Sequence, residues 1–342
     1  MIHPMRTGFR RAVLLGGIAA SAYVFTACGG DSVTDPLNNP GPGQGQVLTS
    51  SFNSAALGVS KHYVIYLPPT YRTDSTKHYP VVYFLHGTTG TQRSWIDDMH
   101  VNNVLDSLIK AGSPEMIGVL VDGDNAYYHN WTTSYDYSAC LANAEQKPAS
   151  DYCVKQMRYG DYVVTDLVAH IDANYRTQAS ASHRGIVGNS MGGYGAVYLS
   201  TAYPNVFSAA ASLSGAWLSL LHLGSYPGAT QATAVSQLSH QDTTYWSLIL
   251  NQYGTSITNW RLYDPYSIVT AAHNAGGAIP ALWLVAGATD SQTLTDNQIF
   301  HAQLTQLGVP HTYATPSGGH TISFWTAHEG EAIAWMGTKI GS

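Results

Sequence analysis

Charge is what this chain has least of. Only 11% of its 342 residues are charged, and 15 basic against 21 acidic side chains leave a net charge of −6. No basic run is long enough to follow a phosphate backbone, and no basic amphipathic face offers itself to a membrane surface, so neither nucleic acid nor a bilayer surface is implied as a partner. Long apolar runs are lacking too: the stretch from Ala12 to Val24 is too short to cross a bilayer. Metal and nucleotide signatures are absent. There is no H-E-x-x-H and no dinucleotide fingerprint, and Asp122-Gly123-Asp124-Asn125 lacks the spacing and closing Glu of a calcium loop. No cofactor and no metal site are therefore expected. No repeat of solenoid period occurs.

Cysteine is scarce, with three residues, and the number is odd. The leader accounts for one of them. Arg6, Arg10 and Arg11 make a positive start, and the apolar stretch beginning at Ala12 follows. It closes on Phe25-Thr26-Ala27-Cys28-Gly29, which resembles the lipobox of bacterial lipoproteins, with Phe25 where leucine is usual. Residues 1–28 thus read as an export signal of the general secretory type, with Cys28 as the lipidation site; Arg10-Arg11 only faintly resembles a twin-arginine signal. With Cys28 lipidated, Cys140 and Cys153 remain, and an oxidising compartment lets them pair. A loop of that size adds about 3 kcal/mol by the chain-entropy estimate. Residues 29–46, rich in Pro, Gly, Asn and Asp, read as a flexible linker, and 47–342 as the folded domain. The protein is expected to be exported, as a lipoprotein on a membrane (periplasmic or cell surface) or secreted.

Aromatic residues are plentiful instead, with 23 Tyr and 8 Trp. Most of them read as half-buried core, although an aromatic-lined cleft for sugars or aryl groups would use the same residues. In the folded part, Lys61–Leu67 is a strand closed by Pro68-Pro69. Tyr79–Gly87 and Met116–Val121 are continuous apolar runs, as in strands buried on both faces of a parallel sheet. Val101–Ile109 and Asp161–Tyr175 carry helical spacing, and a long aromatic loop runs from Asp122 past Trp131 to Cys153. Further strands are read at Phe207–Gly215, Ile279–Gly287 and His311–Ala314, and helices at Gln298–Leu307 and in the tail to Met336. Residues 216 to about 275 lack either period and read as an insertion of short helices and loops after the sixth strand. Strands alternating with helices imply an α/β fold with a mostly parallel central sheet flanked by helices.

The chain is organised around Gly188-Asn189-Ser190-Met191-Gly192-Gly193, which lies between the apolar run Arg184–Val187 and a helix-like segment that stops before Pro204. Strand, G-x-S-x-G, helix is the context of a nucleophile elbow. A serine hydroxyl is a poor nucleophile unless it is held exposed beside a base. Two further candidates follow at strand ends: Asp290, in Gly287-Ala288-Thr289-Asp290, and His320, in Pro316-Ser317-Gly318-Gly319-His320. Ser190, Asp290 and His320 stand in the chain order of α/β-hydrolases. His320 would take the Ser190 proton, and Asp290 would fix the imidazole. Asp290 could also cap the following helix, and Asp296, read as a surface or capping residue, is its rival. His86, His129 and His328 are rivals for the base, with His86 read as packing under the site. An oxyanion hole needs two N–H groups: that of Met191, and one from the loop after His86-Gly87, most simply Thr88.

Taken together, Tyr63–Pro68, Tyr79–Gly87, Gly188–Ala196 and Gly318-Gly319-His320 resemble the esterase family of α/β-hydrolases that holds esterase D, feruloyl esterases and the antigen 85 mycolyltransferases. The resemblance spans about residues 47 to 336 and is poorest over 216–275, where the family shapes its substrate pocket. It implies the α/β-hydrolase fold, the Ser190–Asp290–His320 triad and an oxyanion hole using Thr88 and Met191. The expected function is an exported serine esterase acting on carboxylic esters, with acyl or feruloyl groups on carbohydrate as candidate substrates. Its partners would be small-molecule or carbohydrate esters, with a membrane met only through the lipid. The alternatives are an acyltransferase of the mycolyltransferase type on the same scaffold, and a surface binding protein without catalysis.

Overall fold

The computed structural model describes residues 40–132, 135–142, 152–238 and 246–341. The leader, Cys28 and most of the linker lie outside the described residues. Among the described residues the ten strands are β1 (Gln46–Ser54), β2 (Val59–Leu67), β3 (Val81–Leu85), β4 (Ile117–Val121), β5 (Arg184–Asn189), β6 (Ala209–Leu213), β7 (His222–Leu223), β8 (Thr230–Gln231), β9 (Ala281–Val285) and β10 (His311–Ala314). Eight of them form one sheet in the order β1-β2-β4-β3-β5-β6-β9-β10, and β7 and β8 form a separate ribbon. From β4 to β10 every neighbour is parallel, while β1 with β2 and β2 with β4 are antiparallel. The carboxyl ends of β3, β5, β6, β9 and β10 therefore open on one edge, where α/β sheets place their ligands.

The apolar runs follow from what covers them. Val81, Tyr83 and Leu85 of β3 enter one core, and Val82 and Phe84 enter another on the opposite face. A strand buried on both sides has no polar positions to alternate. The main helices are α1 (Val101–Lys110), α2 (Val168–Asn174), α3 (Met191–Ala202), α4 (Pro265–Asn274), α5 (Leu294–Gln306) and α6 (Ile322–Ile340). Residues of α2, α3, α4 and α5 pack in the first core, and those of α1 and α6 in the second. The helix read over Asp161–Tyr175 is not uniform, because Tyr162–Leu167 forms a π-helical stretch before α2. An apolar stripe of helical spacing does not distinguish a π-turn from an α-turn.

The insertion between β6 and α4 holds the β7–β8 ribbon and short helices, with a core of its own that includes Leu220, Leu221, Leu238, Tyr253 and Trp260. The long aromatic loop contains a short helix, Tyr137–Ala142. The chain settles on the sheet slightly before residue 47: Gly45 is buried and its N–H donates to Asp106 Oδ1 at 2.8 Å. Cys140 and Cys153 are joined as a disulfide, with Cα atoms 5.8 Å apart.

Candidate active site

Strand β5 runs directly into α3, and Ser190 is the single residue between them. Its backbone stands at φ 54, ψ −119. Such a conformation costs a non-glycine residue on the order of 1–3 kcal/mol and persists only where neighbours fix it. Here the Ser190 N–H donates to Leu213 O at 2.9 Å, and Ser190 O accepts from Tyr194 N and Ala216 N, each at 3.1 Å. The turn is so tight that a Cβ on Gly188 would lie 2.1 Å from Gly192 O, and one on Gly192 the same distance from Leu85 O. Those two glycines of the G-x-S-x-G stretch are there for closeness of backbone to backbone.

The three residues read as nucleophile, base and acid are brought together. His320 Nε2 lies 2.8 Å from Ser190 Oγ, and His320 Nδ1 lies 2.9 Å from Asp290 Oδ2. Asp290 is held in the loop after β9. Its Oδ1 accepts the N–H groups of Gln292 and Thr293, each at 3.0 Å, and its Oδ2 accepts Thr293 Oγ1–H at 2.7 Å. Burial works to raise its pKa, but the hydrogen bonds from His320 and Thr293 outweigh burial and hold the carboxyl down at about 2. A carboxylate ionised throughout the physiological range requires the proton on His320 Nδ1, which leaves Nε2 as acceptor for the serine hydroxyl. Asp290 is not the helix cap; Thr293 occupies that position before α5.

The three rival histidines are engaged elsewhere. His129 is buried against the Tyr253 ring at 4.4 Å, and burial takes its pKa down to about 4. His328 lies on α6 with Nδ1 3.7 Å from Glu331. His86 lies beneath the site and is fully buried, which lowers its pKa and keeps it neutral. Its Nε2 accepts the Gly123 N–H at 3.0 Å, so its Nδ1–H is the donor to Gly87 O at 2.8 Å. Gly90 N–H also donates to Gly87 O, at 3.1 Å. The Gly87–Thr88 peptide is trans, so these bonds turn the Thr88 N–H to the opposite side. Thr88 and Ser190 line the same cavity. Met191 is the first residue of α3, where N–H groups have no intrahelical acceptor and the positive end of the helix dipole lies.

Below this loop sits a buried ion cluster. Lys61 Nζ lies 2.7 Å from Asp122 and 2.8 Å from Asp124, and Tyr159 OH also donates to Asp124. Burial disfavours the lysine charge, yet the two carboxylates outweigh it and its pKa is raised. Burial, with the charge of Asp122 adding to it, lifts Asp124 to about 6. The cluster braces the turn that carries Gly123, and with it His86. No cluster of three or more potential metal ligands occurs among the described residues.

The cavity has a volume of about 970 Å³. One wall comes from the insertion, including Trp217, Leu220, His222 and Trp260. Tyr127 faces Trp217, with ring centroids 4.1 Å apart and planes within 11°. Asp296 also lines it. It is neither a surface residue nor a cap: it is 5% exposed, its Oδ2 accepts Trp217 N–H at 3.0 Å, and its Oδ1 lies 2.9 Å from His222 Nδ1. The sequence held no signal for His222, which is one of 15 histidines and sits in the stretch without periodicity.

Eight strands in this order, with serine, acid and histidine on loops at one sheet edge, define an α/β-hydrolase fold. The chain belongs to the family described as "Putative esterase", which matches residues 54–330. An esterase of Mycobacterium tuberculosis is 28% identical over 276 residues, which are 79% of this chain and 55% of the relative. The chain thus spans about half the length of that relative. An S-formylglutathione hydrolase from Agrobacterium tumefaciens superposes with a TM-score of 0.64 at 18% identity, covering 89% of this chain and 98% of the other. A ferulic acid esterase from Anaeromyces mucronatus does so with a TM-score of 0.59 at 17% identity, covering 90% and 96%. At those identities the likeness is one of fold.

Proposed function

We propose that the protein is an exported serine esterase that hydrolyses carboxylic esters through an acyl-enzyme. The observation that carries this reading is the unbroken path Ser190 Oγ–His320–Asp290, with links of 2.8 and 2.9 Å at an elbow. Ser190 Oγ attacks the acyl carbon while His320 Nε2 takes its proton. The N–H groups of Thr88 and Met191 receive the oxyanion, and loss of one such donor typically costs roughly 100- to 1000-fold in rate. His320 then passes the proton to the departing alcohol, and water repeats the sequence on the acyl-enzyme. Family membership supports the ester chemistry. The aromatic wall and the fold shared with feruloyl esterases support acyl or feruloyl groups on carbohydrate as substrates.

The test is a panel of aryl, acetyl, feruloyl and long-chain esters, run with and without sugar acceptors. Wild-type protein should release acid from at least one of them, and Ser190→Ala should retain its fold while losing turnover by more than about 1000-fold. Turnover near wild type in folded Ser190→Ala would sink the assignment. Acyl transfer to sugar in preference to water would make the protein a transferase. Export rests on the leader, and Cys28 is the residue we assign to lipid. Mass spectrometry of the mature N-terminus should find a lipidated Cys28, and an unmodified Cys28 or a different first residue would refute lipidation.

A further inference from the structure

The loop that carries Thr88 is a strained turn, and a second turn, which the proton path from Ser190 to Asp290 does not use, holds it in that state. Gly90 N–H donates to Gly87 O at 3.1 Å, which closes Gly87-Thr88-Thr89-Gly90 as a β-turn. Thr89, its third residue, stands at φ 66, while Thr88 keeps a negative φ. That is the pattern of a type II turn, whose third position normally belongs to glycine or asparagine. A β-branched residue in this region is an outlier and persists only where neighbours fix it. Turning the Thr88–Thr89 peptide over would give the commoner type I turn and relieve Thr89 of its strain.

Asn125 opposes that reversal. Its Oδ1 accepts the Thr89 N–H at 2.8 Å, a bond that lasts only while the peptide faces this way. Asn125 is itself set on a firm base. It ends the turn at 122–125, where Lys61 ties down Asp122 and Asp124 and where Gly123 N–H donates to His86 Nε2. The same turn therefore grips the loop twice. Through His86, whose Nδ1–H donates to Gly87 O, it fixes the peptide before Thr88; through Asn125 it fixes the peptide after Thr88. The Thr88 N–H between them has no acceptor among the described residues. The loop lies against the nucleophile: a Cβ on Gly87 would stand 3.3 Å from Ser190 Cβ.

Building on the esterase reading, with the Thr88 N–H as an oxyanion donor, we propose that Asn125 is a positioning residue. By holding Thr89 at positive φ, it keeps the loop in the form that presents the Thr88 N–H to the charge developing on the substrate. Asn125 acts through the loop and not on the reacting atoms, so its effect falls on the transition state rather than on substrate binding. Its removal takes away a hydrogen bond and leaves the strain at Thr89 unopposed, and both favour the reversed peptide. The rate should fall about 10- to 100-fold, short of the roughly 100- to 1000-fold that follows outright loss of an oxyanion donor.

The experiment uses the ester of the panel that wild type turns over best. It measures kcat, KM and the inhibition constant of phenylboronic acid, which forms a tetrahedral adduct with a reactive serine. Asn125→Ala should lower kcat by the factor above and leave KM within about twofold. It should weaken phenylboronic acid binding by a factor similar to the loss in kcat. Thr89→Gly supplies the rescue. Glycine takes positive φ as readily as negative, so Asn125→Ala combined with Thr89→Gly should recover about threefold or more of the lost kcat. A residue that only supported the fold, or only touched substrate, would gain nothing from Thr89→Gly. If Asn125→Ala does not fold, Asn125→Leu, which fills the same space without an acceptor, is read in its place. A kcat within about twofold of wild type, a loss confined to KM, or a loss that Thr89→Gly leaves unchanged overturns the proposal. Each of those results leaves the esterase reading standing. Failure of the wild type to turn over any ester of the panel is instead a failure of that reading, and this proposal falls with it.

Discussion

Ser190 and Asp290 illustrate how much a single residue's surroundings decide. Ser190 is strained and pinned by backbone bonds, whereas Asp290 is saturated with donors. Because the Asp290 carboxyl is held at about 2, it stays ionised until the pH falls to that value. Whatever it adds to stability is present above the ordinary carboxylate range and lost as the pH drops through about 2. Any loss of activity at milder acidity therefore reports a group other than Asp290. Asp290→Asn should lower kcat by roughly 10⁴-fold, because the histidine then takes the wrong tautomer. KM should change little, since the acid touches histidine and not substrate. Steady-state kinetics of the purified variant check this, and an unchanged kcat would remove Asp290 from the mechanism. At this scale the sequence was informative where a side chain sits next to a strand end in the order serine, acid, histidine. It misplaced Asp296, read as a surface or capping residue, because a carboxylate near a helix start looks the same whether it caps the helix or faces a cavity.

At the scale of elements, β5 and α3 form the joint on which the site depends. The glycines at 188 and 192 let the helix start press against the end of β3. Gly192→Ala would place a methyl 2.1 Å from the Leu85 carbonyl oxygen, with backbone on both sides of the clash. Overpacking of this kind typically costs about 1–3 kcal/mol, and a clash against backbone should exceed that range. Urea denaturation should show the loss, and a variant as stable as wild type would mean that the joint can open. The elements that were readable in advance are those buried on both faces, such as β3 and β4, where a short, unbroken apolar run follows directly from cover on either side. The π-helical stretch before α2 and the β7–β8 ribbon were not readable. The first differs from an α-helix only in hydrogen-bond register, and the second is two residues per strand, too short for any period.

The stability of the whole molecule bears the mark of an unanswered acid. Glu329 on α6 is fully buried, neither of its carboxylate oxygens has a hydrogen-bond partner among the described residues, and burial pushes its pKa from 4.5 up to about 8. Between those values the folded protein keeps the proton and the unfolded chain releases it. The sign is therefore that of a raised acid: stability is undiminished below about pH 4.5 and is lost progressively as the pH rises to about 8. The full loss is on the order of 5 kcal/mol at the usual conversion for each pKa unit. Glu329→Gln should unfold at higher urea than wild type at pH 8.5 and differ little at pH 4.5; equal midpoints at both would show that the carboxyl is solvated. The same helix bears on when the site comes into being. The loop with Thr88, then Ser190, Asp290 and His320, follow β3, β5, β9 and β10, so they leave the ribosome in that order, with His320 the last of the four. α6, which begins just after His320, packs under β5, β6 and β9. A growing chain carries Ser190 for well over a hundred residues before His320 is made. The hydroxyl stays inert until His320 has been made and α6 has closed that face of the sheet, so catalysis cannot begin before that point.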